Sequence, residues 1–330
     1  MKLFKEEIAV KNILVLHTGG TIAMSEDQTT GKVAPSSENP LLNQGHLFEN
    51  LAHLVVEDLF QLPSPHVTPV EMLILKNRIE KAITHEGIDG VIVTHGTDTL
   101  EETAYFLDIT LDHNIPIVVT GAMRSSNEIG SDGLYNFQSA VWVATCEEAK
   151  DKGVLVVMND EIHTARYVTK THTTNVATFR TPTFGPIGLI AKNKVLFFQE
   201  LIAEEKFEVN AINQNVYLLK AYAGMDGSLL QALDNPSTDG LVIEALGAGN
   251  LPPHTLPALE NLLNRGVPVV LVSRCFNGVA QDVYDYAGGG KRLKEMGVIF
   301  TNGLNGPKAR IKLMVALTKY KDLDSIKKYF

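Results

Sequence analysis

Two short segments of the chain combine glycine with hydroxyl side chains directly after runs of apolar residues. Residues 18–23 read TGGTIA and follow the run Asn12–His17, while residues 95–99 read HGTDT and follow Gly90–Thr94. Glycines let the backbone approach a ligand closely, and free amide hydrogens can bind an anion or a developing oxyanion. Either segment alone equally fits a tight turn or a phosphate-binding loop. Together they indicate one site.

The threonines of these segments, Thr21 and Thr97, are candidate nucleophiles. A threonine hydroxyl becomes useful at neutral pH only when a neighbouring base removes its proton. Asp98 and Lys170 are the candidate partners, and Lys170 stands among small hydroxyl residues in the polar run 166–175. A lysine can act as a base when burial lowers its pKa. From its segment alone, Lys170 is better explained as an ordinary solvated lysine, and Asp98 can be a helix N-cap in addition to any other role.

The elements that position these residues follow from an alternation of short β-branched runs with longer amphipathic stretches. This rhythm predicts a mostly parallel sheet covered by helices on both faces. Open α/β sheets bind ligands at the carboxyl ends of their strands, which is where both segments fall. The first strands are predicted at Asn12–His17, Gly90–Thr94, Ile115–Thr120 and Val154–Met158.

Two helix starts carry a capping box, in which a cap side chain and a glutamate three residues later bind each other's backbone amides. Thr68–Glu71 also has proline at the first helical position and predicts a helix over 69–85. Asp98–Glu101 repeats the box and predicts a helix over 99–110. The polar stretch Met24–Pro40 has neither hydrophobic period and predicts a mobile lid.

Hydrophobicity thins out over 201–215, which predicts a linker between a catalytic α/β domain at 1–200 and a second α/β domain at 216–330. The strand and helix rhythm restarts after it. Strands are predicted at Val216–Tyr222, Leu241–Leu246 and Val267–Val272, and helices at 254–264 and 307–320.

Composition excludes several classes of function. The chain has 330 residues, 45% of them hydrophobic, and a net charge of −9 without long blocks of one sign, so a nucleic-acid partner is not expected. Cys146 and Cys275 lie far apart, and no histidine pair has metal-binding spacing, so we expect neither disulfide nor metal. Charged residues at the N-terminus and the absence of a long apolar run predict a cytoplasmic protein without a membrane segment.

The motifs, taken together, resemble the bacterial-type L-asparaginases. Besides TGGTIA and HGTDT, the chain carries TGAMR at 120–124 and VTKT at 168–171, all in the order of that family. The resemblance continues through GAGN at 247–250 to the helix that contains Lys308, and so covers nearly the whole chain. It implies an α/β protein with a larger, flavodoxin-like N-terminal domain on a mostly parallel sheet and a smaller C-terminal α/β domain.

The resemblance also implies a reaction, the hydrolysis of L-asparagine to L-aspartate and ammonia. Thr21 looks like the nucleophile that forms an acyl-threonine intermediate. Thr97, Asp98 and Lys170 look like the hydroxyl, carboxylate and base grouped opposite it. Neither a metal nor an organic cofactor enters this reaction.

The implied substrate contacts suit a zwitterion. In the family, the residue matching Asp98 also holds the α-amino group, and the serine matching Ser64 holds the α-carboxylate. The backbone at Gly96 and Thr97 would bind the substrate and its oxyanion, while the carbonyl of Ala122 would face the leaving nitrogen. Homodimers or homotetramers are expected, because the family completes its sites with residues from a second C-terminal domain.

The chain departs from the family pattern in its lid and beside Ser64. Residues 22–40 contain no tyrosine, and Lys32 or Val33 falls near the place of the usual one. Thr21 is then assisted either by Lys170, serving both hydroxyls, or by Tyr284 or Tyr286 from elsewhere, including a second subunit.

Pro65 replaces the glutamine that follows the substrate-binding serine in periplasmic members. The partner-subunit glutamate of those members also has no clear match near Gly288–Gly290. Fewer contacts to the α-amino group predict looser binding and a closer likeness to the cytoplasmic, type I group.

A different class of function stays open at this point, a non-catalytic phosphate- or nucleotide-binding protein that uses the Gly-Gly loop as an anion nest. The dinucleotide pattern Gly-x-Gly-x-x-Gly is absent from the first turn, where residues 19–22 read GGTI.

Overall fold

The computed structural model describes residues 10–26, 30, 33–35, 48, 50–202 and 205–330. They divide into two compact units, each built on a β-sheet. The first lies within Met1–Ala104, His113–Arg180 and Gly185–Ile202, and the second within Tyr105–Asp112, Thr181–Phe184 and Ala203–Phe330. Among the helices that the structure describes, none combines the length and the hydrophobicity of a membrane-spanning segment.

The strands described in the first unit fall into one large sheet and two small two-stranded sheets. In chain order they are β1 (Lys11–His17), β2 (Met24–Glu26), β3 (Val33–Pro35), β4 (Ala52–Asp58), β5 (Gly90–Thr94), β6 (Ile117–Thr120), β7 (Val154–Met158), β8 (Glu161–Thr164), β9 (Thr169–Lys170), β10 (Phe179–Arg180), β11 (Gly188–Ala191) and β12 (Lys194–Phe197).

The large sheet has eight strands in the order β12-β11-β8-β7-β6-β5-β1-β4. The five strands from β4 to β7 are parallel, and β8, β11 and β12 each pair antiparallel at the other side. Numbered among themselves, the parallel strands run 2-1-3-4-5, which is the flavodoxin-like order. The predicted mostly parallel sheet is confirmed. Its switch point lies between β1 and β5, so the segments after these two strands flank the crevice where such sheets bind ligands.

The predicted strands form because they are apolar runs buried on both faces of a parallel sheet. All residues of β5, β6 and β7 are buried. Strand β6 begins at Ile117 rather than at the predicted Ile115, since Pro116 has no amide hydrogen to donate. The carbonyl of Pro116 nevertheless accepts the Val91 amide at 2.9 Å, which holds the strand entry beside β5.

Among the described residues of the first unit, three α-helices begin, α1 (Pro69–His85), α2 (Leu100–Thr110) and α3 (Gly133–Thr145). The capping box predicted for α1 is confirmed, because the Thr68 hydroxyl accepts the Val70 amide at 3.2 Å and the Thr68 amide donates to Glu71 at 2.8 Å. The core of this unit lies where α3 meets the sheet. It includes the buried residues Ile13, Val15, Ile92, Val118, Phe137, Ala140, Val141, Ala144, Leu155 and Val157.

The second predicted capping box differs from the structure. Helix α2 begins one residue later than predicted, and the carbonyl of Thr99, not that of Asp98, accepts the first amides of the helix. The Asp98 carboxylate binds Lys170 instead, at 2.7 Å. The Glu101 carboxylate reaches β9, where it accepts hydrogen bonds from Thr169 and Lys170. Tertiary contacts therefore use side chains that the local pattern assigned to the helix end.

The second unit has a parallel sheet whose strands lie side by side in chain order. These are β13 (Val216–Lys220), β14 (Gly240–Ala245), β15 (Val269–Ser273) and β16 (Ile299–Phe300). Its helices are α4 (Ser228–Leu233), α5 (Leu256–Asn264), α6 (Gly290–Glu295), α7 (Gly306–Lys319) and α8 (Leu323–Tyr329). Helix α5 begins later than predicted, because Pro253–Thr255 forms a 3-10 turn before it. The core includes Leu241, Ile243, Leu259, Leu262, Val269, Leu271 and Leu293.

The stretch predicted as a linker, 201–215, carries buried side chains in its described part. Phe207, Val209 and Ile212 are buried, and the Phe207 amide donates to the Ile109 carbonyl at 2.8 Å within the second unit. The division into domains at 1–200 and 216–330 stays a prediction.

The predicted lid, Met24–Pro40, lies mostly outside the described residues. Its described part includes the strands β2 and β3, which pair antiparallel with Met24 opposite Pro35. Mobility of this segment stays a prediction.

Candidate active site

The two threonine-bearing segments touch through their backbones. Gly20 has φ +85°, and a Cβ built on it would lie only 2.3 Å from the Cα of Gly96. At the base of the segments, Thr18 donates to the Thr94 carbonyl twice, from its amide at 3.1 Å and from its hydroxyl at 2.9 Å. The segments after β1 and β5 therefore meet at the switch point of the sheet, as the sequence predicts.

Ser64 lies on the other side of Gly96. A Cβ on Gly96 would lie 2.7 Å from both Cβ and Oγ of Ser64, so only hydrogen fits there. The Ser64 hydroxyl accepts the Asp98 amide at 3.2 Å, and the Thr99 hydroxyl donates to the Ser64 carbonyl at 2.8 Å. The 3-10 turn that carries this serine, Ser64–His66, is thus fixed to the segment after β5.

Lys170 brings a third part of the chain to the same place. Its Nζ lies 2.9 Å from Oγ1 of Thr97 and 2.7 Å from Oδ1 of Asp98. The lysine side chain is 17% exposed and the aspartate side chain 59% exposed, so the ion pair opens to solvent on the carboxylate side. An amine that contacts both a hydroxyl and a carboxylate can transfer protons to and from a reacting group.

Ala122 lies in the segment that follows β6, and two side chains of α3's N-terminal region hold that segment. Asp132 accepts the amides of Met123 and Arg124 at 3.0 Å, and Asn136 donates to the Gly121 carbonyl at 3.0 Å. These bonds bracket Ala122 on both sides. Neither Asp132 nor Asn136 was singled out from the sequence, and their spacing of four residues at a helix start is the signal that could have found them.

Thr21 begins a 3-10 turn, Thr21–Ala23, and is half-buried. Its neighbour Gly20 meets Gly96, as described above. Its other neighbour, Ile22, and Ala122 both lie against Gly133. A Cβ built on Gly133 would be 3.2 Å from a side-chain carbon of Ile22 and 3.3 Å from the Cβ of Ala122. The structure therefore places in one region all the residues that the sequence predicts for the site: Thr21, Ser64, Gly96, Thr97, Asp98, Ala122 and Lys170.

Two buried histidines, His17 and His95, form hydrogen bonds at the start of these segments. His95 lies between the Gly96 carbonyl, 2.8 Å from its Nδ1, and the Thr103 hydroxyl, 2.9 Å from its Nε2. Burial lowers its pKa from the usual 6.5 to about 4, although the bond to Gly96 acts in the opposite direction. His17 bonds the Thr94 hydroxyl at 2.6 Å, and burial lowers its pKa to about 4 against the attraction of Asp58. Both rings are neutral at pH 7.

The departures noted in the sequence have structural counterparts. Pro65 lies in the 3-10 turn that carries Ser64. Tyr284 and Tyr286 belong to the second unit, where both are exposed and their ring centres are 5.8 Å apart.

In the part of the chain that the structure describes, no group of three His, Cys, Asp or Glu side chains is arranged to hold a metal ion.

Comparison with known protein families decides the family. The model described as "Asparaginase, N-terminal" matches residues 12–203, and the model described as "Glutaminase/Asparaginase C-terminal domain" matches residues 215–330. The chain belongs to the asparaginase family.

Individual asparaginases match along nearly the full length. The chain is 37% identical to an "L-asparaginase" of Bacillus licheniformis over 312 residues, covering 94% of this chain and 97% of that one. It is 40% identical to a "Probable L-asparaginase" of Deinococcus radiodurans over 327 residues, covering 98% of each. The crystal structure of a "Probable Cytoplasmic L-asparaginase" from Campylobacter jejuni matches with a TM-score of 0.86 at 36% identity, covering 97% of this chain and 98% of that one.

The contact between the two loops predicts a steric effect of Gly20→Ala. The added methyl group would overlap the backbone of Gly96, so we expect a loss of at least about 2 kcal/mol in the free energy of unfolding. The matched control is Gly87→Ala, because Gly87 also has a positive φ, +64°, but has no atom within 4 Å of its added Cβ. Urea unfolding measures both variants. Equal losses would contradict the close approach of the two loops.

The buried histidines predict a loss of stability in acid. Their pKa values, about 4 when folded, lie below the unfolded value of 6.5, so the unfolded chain binds more protons between these two pH values. Stability therefore falls as the pH drops from 6.5 towards 4, by up to about 3 kcal/mol for each histidine.

Urea unfolding at several pH values tests this expectation with His17→Asn, which keeps a polar group near the position of Nδ1 but does not titrate. We expect a shallower decline for the variant than for the original protein, both referenced to pH 7.5. Parallel declines would show that His17 does not contribute.

Proposed function

We propose that the protein is an L-asparaginase that hydrolyses L-asparagine to L-aspartate and ammonia through an acyl-threonine intermediate. The observation that carries this proposal is the contact of Lys170 Nζ with both Thr97 and Asp98, next to the loop that carries Thr21. The names of the matching relatives, "L-asparaginase" and "Probable L-asparaginase", support the substrate.

In the proposed reaction, the Thr21 hydroxyl oxygen adds to the side-chain amide carbon and its proton passes to a base. The carbon–nitrogen bond then breaks, and the nitrogen takes up a proton and leaves as ammonia. Water adds to the acyl-threonine in the second half, releasing aspartate and restoring the hydroxyl. Lys170 is the proposed base for Thr97 and for the water, since its amine is already hydrogen-bonded to the Thr97 hydroxyl.

The peptide between Gly96 and Thr97 is suited to stabilise the oxyanion. His95 holds its carbonyl at 2.8 Å, and the opposite side of a trans peptide carries the Thr97 N–H. This donor is thereby fixed in direction before substrate arrives. A preorganised donor of this kind contributes about 10²- to 10³-fold to the rate of acyl transfer.

A carboxylate and a hydroxyl donor in the site match the two charged groups of a zwitterionic amino acid. The exposed face of the Asp98 carboxylate is the proposed partner of the α-amino group. Ser64 Oγ already accepts the Asp98 amide, so its own hydroxyl hydrogen is left to donate to the α-carboxylate. The carbonyl of Ala122, in a segment held by Asp132, is the proposed acceptor for the amide nitrogen that leaves.

The alternative, a phosphate- or nucleotide-binding protein, is not favoured. The positive charge of the Lys170 amine is balanced by the carboxylate of Asp98, and the exposed carboxylate would repel a phosphate group. A cytoplasmic location is also proposed, supported by the likeness to the Campylobacter jejuni protein.

The proposal predicts that Thr21→Ala and Lys170→Met lose most ammonia release from L-asparagine while remaining folded. Each removes one partner of a proton transfer, so a loss of about 10²- to 10⁴-fold is expected. Thr21→Ser, which keeps a hydroxyl, is the matched control and should retain much more activity than Thr21→Ala. Full activity of Thr21→Ala or Lys170→Met would remove that residue from the mechanism.

A panel of L-asparagine, L-glutamine and D-asparagine, read by ammonia release, defines the substrate. Thermal shifts with inorganic phosphate and ATP test the alternative. Stabilisation by either anion without turnover of any amide would favour the binding protein over the asparaginase.

We also propose a homo-oligomer, a dimer or a tetramer. Large side chains of the second unit are exposed, among them Tyr222, Phe276, Val283, Tyr284 and Tyr286. Apolar surface of this kind is common where chains associate. The expectation is a solution mass at least twice 36.1 kDa by light scattering at the assay concentration. A fully active monomer would contradict it.

The activities of Tyr284→Phe and Tyr286→Phe, measured in the same assay, test whether a tyrosine hydroxyl assists Thr21.

A further inference from the structure

We propose that Glu101 is a positioning residue that sets the placement of Lys170, and through it the proton transfers at Thr97. Glu101 lies in the first turn of α2 and is only 9% exposed to solvent. This inference rests on the proposed role of Lys170 as the base.

The Glu101 carboxylate holds the strand β9 at two adjacent residues. Its Oε1 accepts the hydroxyl of Thr169 at 2.9 Å and the backbone amide of Lys170 at 3.2 Å. Hydrogen bonds to an ionised acceptor are stronger than bonds between neutral groups. The carboxylate therefore fixes the main chain from which the lysine side chain extends.

Strand β9 needs such support because it does not belong to the large sheet. It consists of Thr169–Lys170 and pairs with the equally short Phe179–Arg180 of β10. Isolated two-stranded hairpins are marginally stable in water. Bonds between Thr171 and Thr178, one from the amide at 2.8 Å and one from the hydroxyl at 2.7 Å, close this hairpin but do not connect it to α2.

Both ends of Lys170 are held by one short piece of chain. Its amine contacts Thr97 and Asp98, just before α2, while its backbone is bound by Glu101 in the first turn of the same helix. The distance between the hydroxyl and the base is thus set within residues 97–101, although Lys170 is 69 residues further along the chain from Glu101. A displacement of about 1 Å at such a site can reduce the rate about 100-fold.

The first test compares Glu101→Ala, which removes the acceptor, with Glu101→Gln, which keeps an amide oxygen at the same place. We expect Glu101→Ala to lower kcat by about 10- to 100-fold with KM changed less than threefold. Glu101→Gln should recover kcat to within about fivefold of the original protein. An unchanged kcat in Glu101→Ala, or equal losses in both variants, would overturn the proposal.

The matched control for a merely structural effect is Glu80→Ala. It also removes a carboxylate from a helix of the first unit and leaves the buried amine of Lys76 without the partner that lies 2.8 Å away. We expect Glu80→Ala to lower the melting temperature without lowering kcat. A fall in kcat equal to that of Glu101→Ala would assign the effect of Glu101 to stability alone.

A double-mutant cycle separates positioning from other roles. If Glu101 acts through Lys170, then adding Glu101→Ala to Lys170→Met should lower the residual kcat less than twofold. An additive loss would overturn the proposal. Full activity of Lys170→Met by itself would instead mean that the proposed base is wrong, so the two failures are distinguishable.

A second pair of variants keeps the test valid if Glu101→Ala does not fold. Thr169→Val removes one of the two hydrogen bonds to Glu101, and Thr169→Ser retains it. We expect the valine variant to lose about 3- to 10-fold in kcat and the serine variant to stay within twofold of the original. Equal kcat values for the two variants would contradict the positioning role.

Discussion

The whole site depends on the contact between two glycines at the switch point of the sheet. Gly20 and Gly96 approach so closely that neither has room for a side chain, and this brings the segments after β1 and β5 together. Ser64 lies against the outer side of the same contact, and its hydroxyl binds the amide of Asp98. The sheet order makes the contact available, since β1 and β5 are neighbours whose following segments emerge at one edge.

Sequence reasoning located the parts of the site that are continuous along the chain. The segments 18–23 and 95–99 were recognisable because glycine and threonine directly follow buried strands. The parallel sheet was predictable for the same reason, since strands buried on both faces are uninterrupted apolar runs. The observed strand boundaries differ from the predicted ones where a local constraint applies. Pro116 has no amide hydrogen, and β6 begins after it. The resemblance to a family supplied the roles of Ser64 and Ala122, which no local pattern would have indicated.

The positioning contacts could not be predicted from the sequence, because they join residues that only the fold brings together. Glu101 was interpreted as a helix cap, and that interpretation was locally reasonable, yet its carboxylate binds a strand about 70 residues away. No sequence pattern pointed to Asp132, just before α3, or to Asn136 within it, yet they hold the segment that contains Ala122. Such side chains have several partners within reach, and tertiary geometry selects among them.

The shortness of β9 bears on how the protein would lose its function on heating. The large sheet is held by a continuous buried core, but the strand that carries Lys170 is paired over only Thr169–Lys170. A pairing of two residues opens at a lower free energy than an extended sheet with a continuous core does. The amine can therefore leave its hydroxyl partner while the rest of the chain is still native, so catalytic failure would precede global melting.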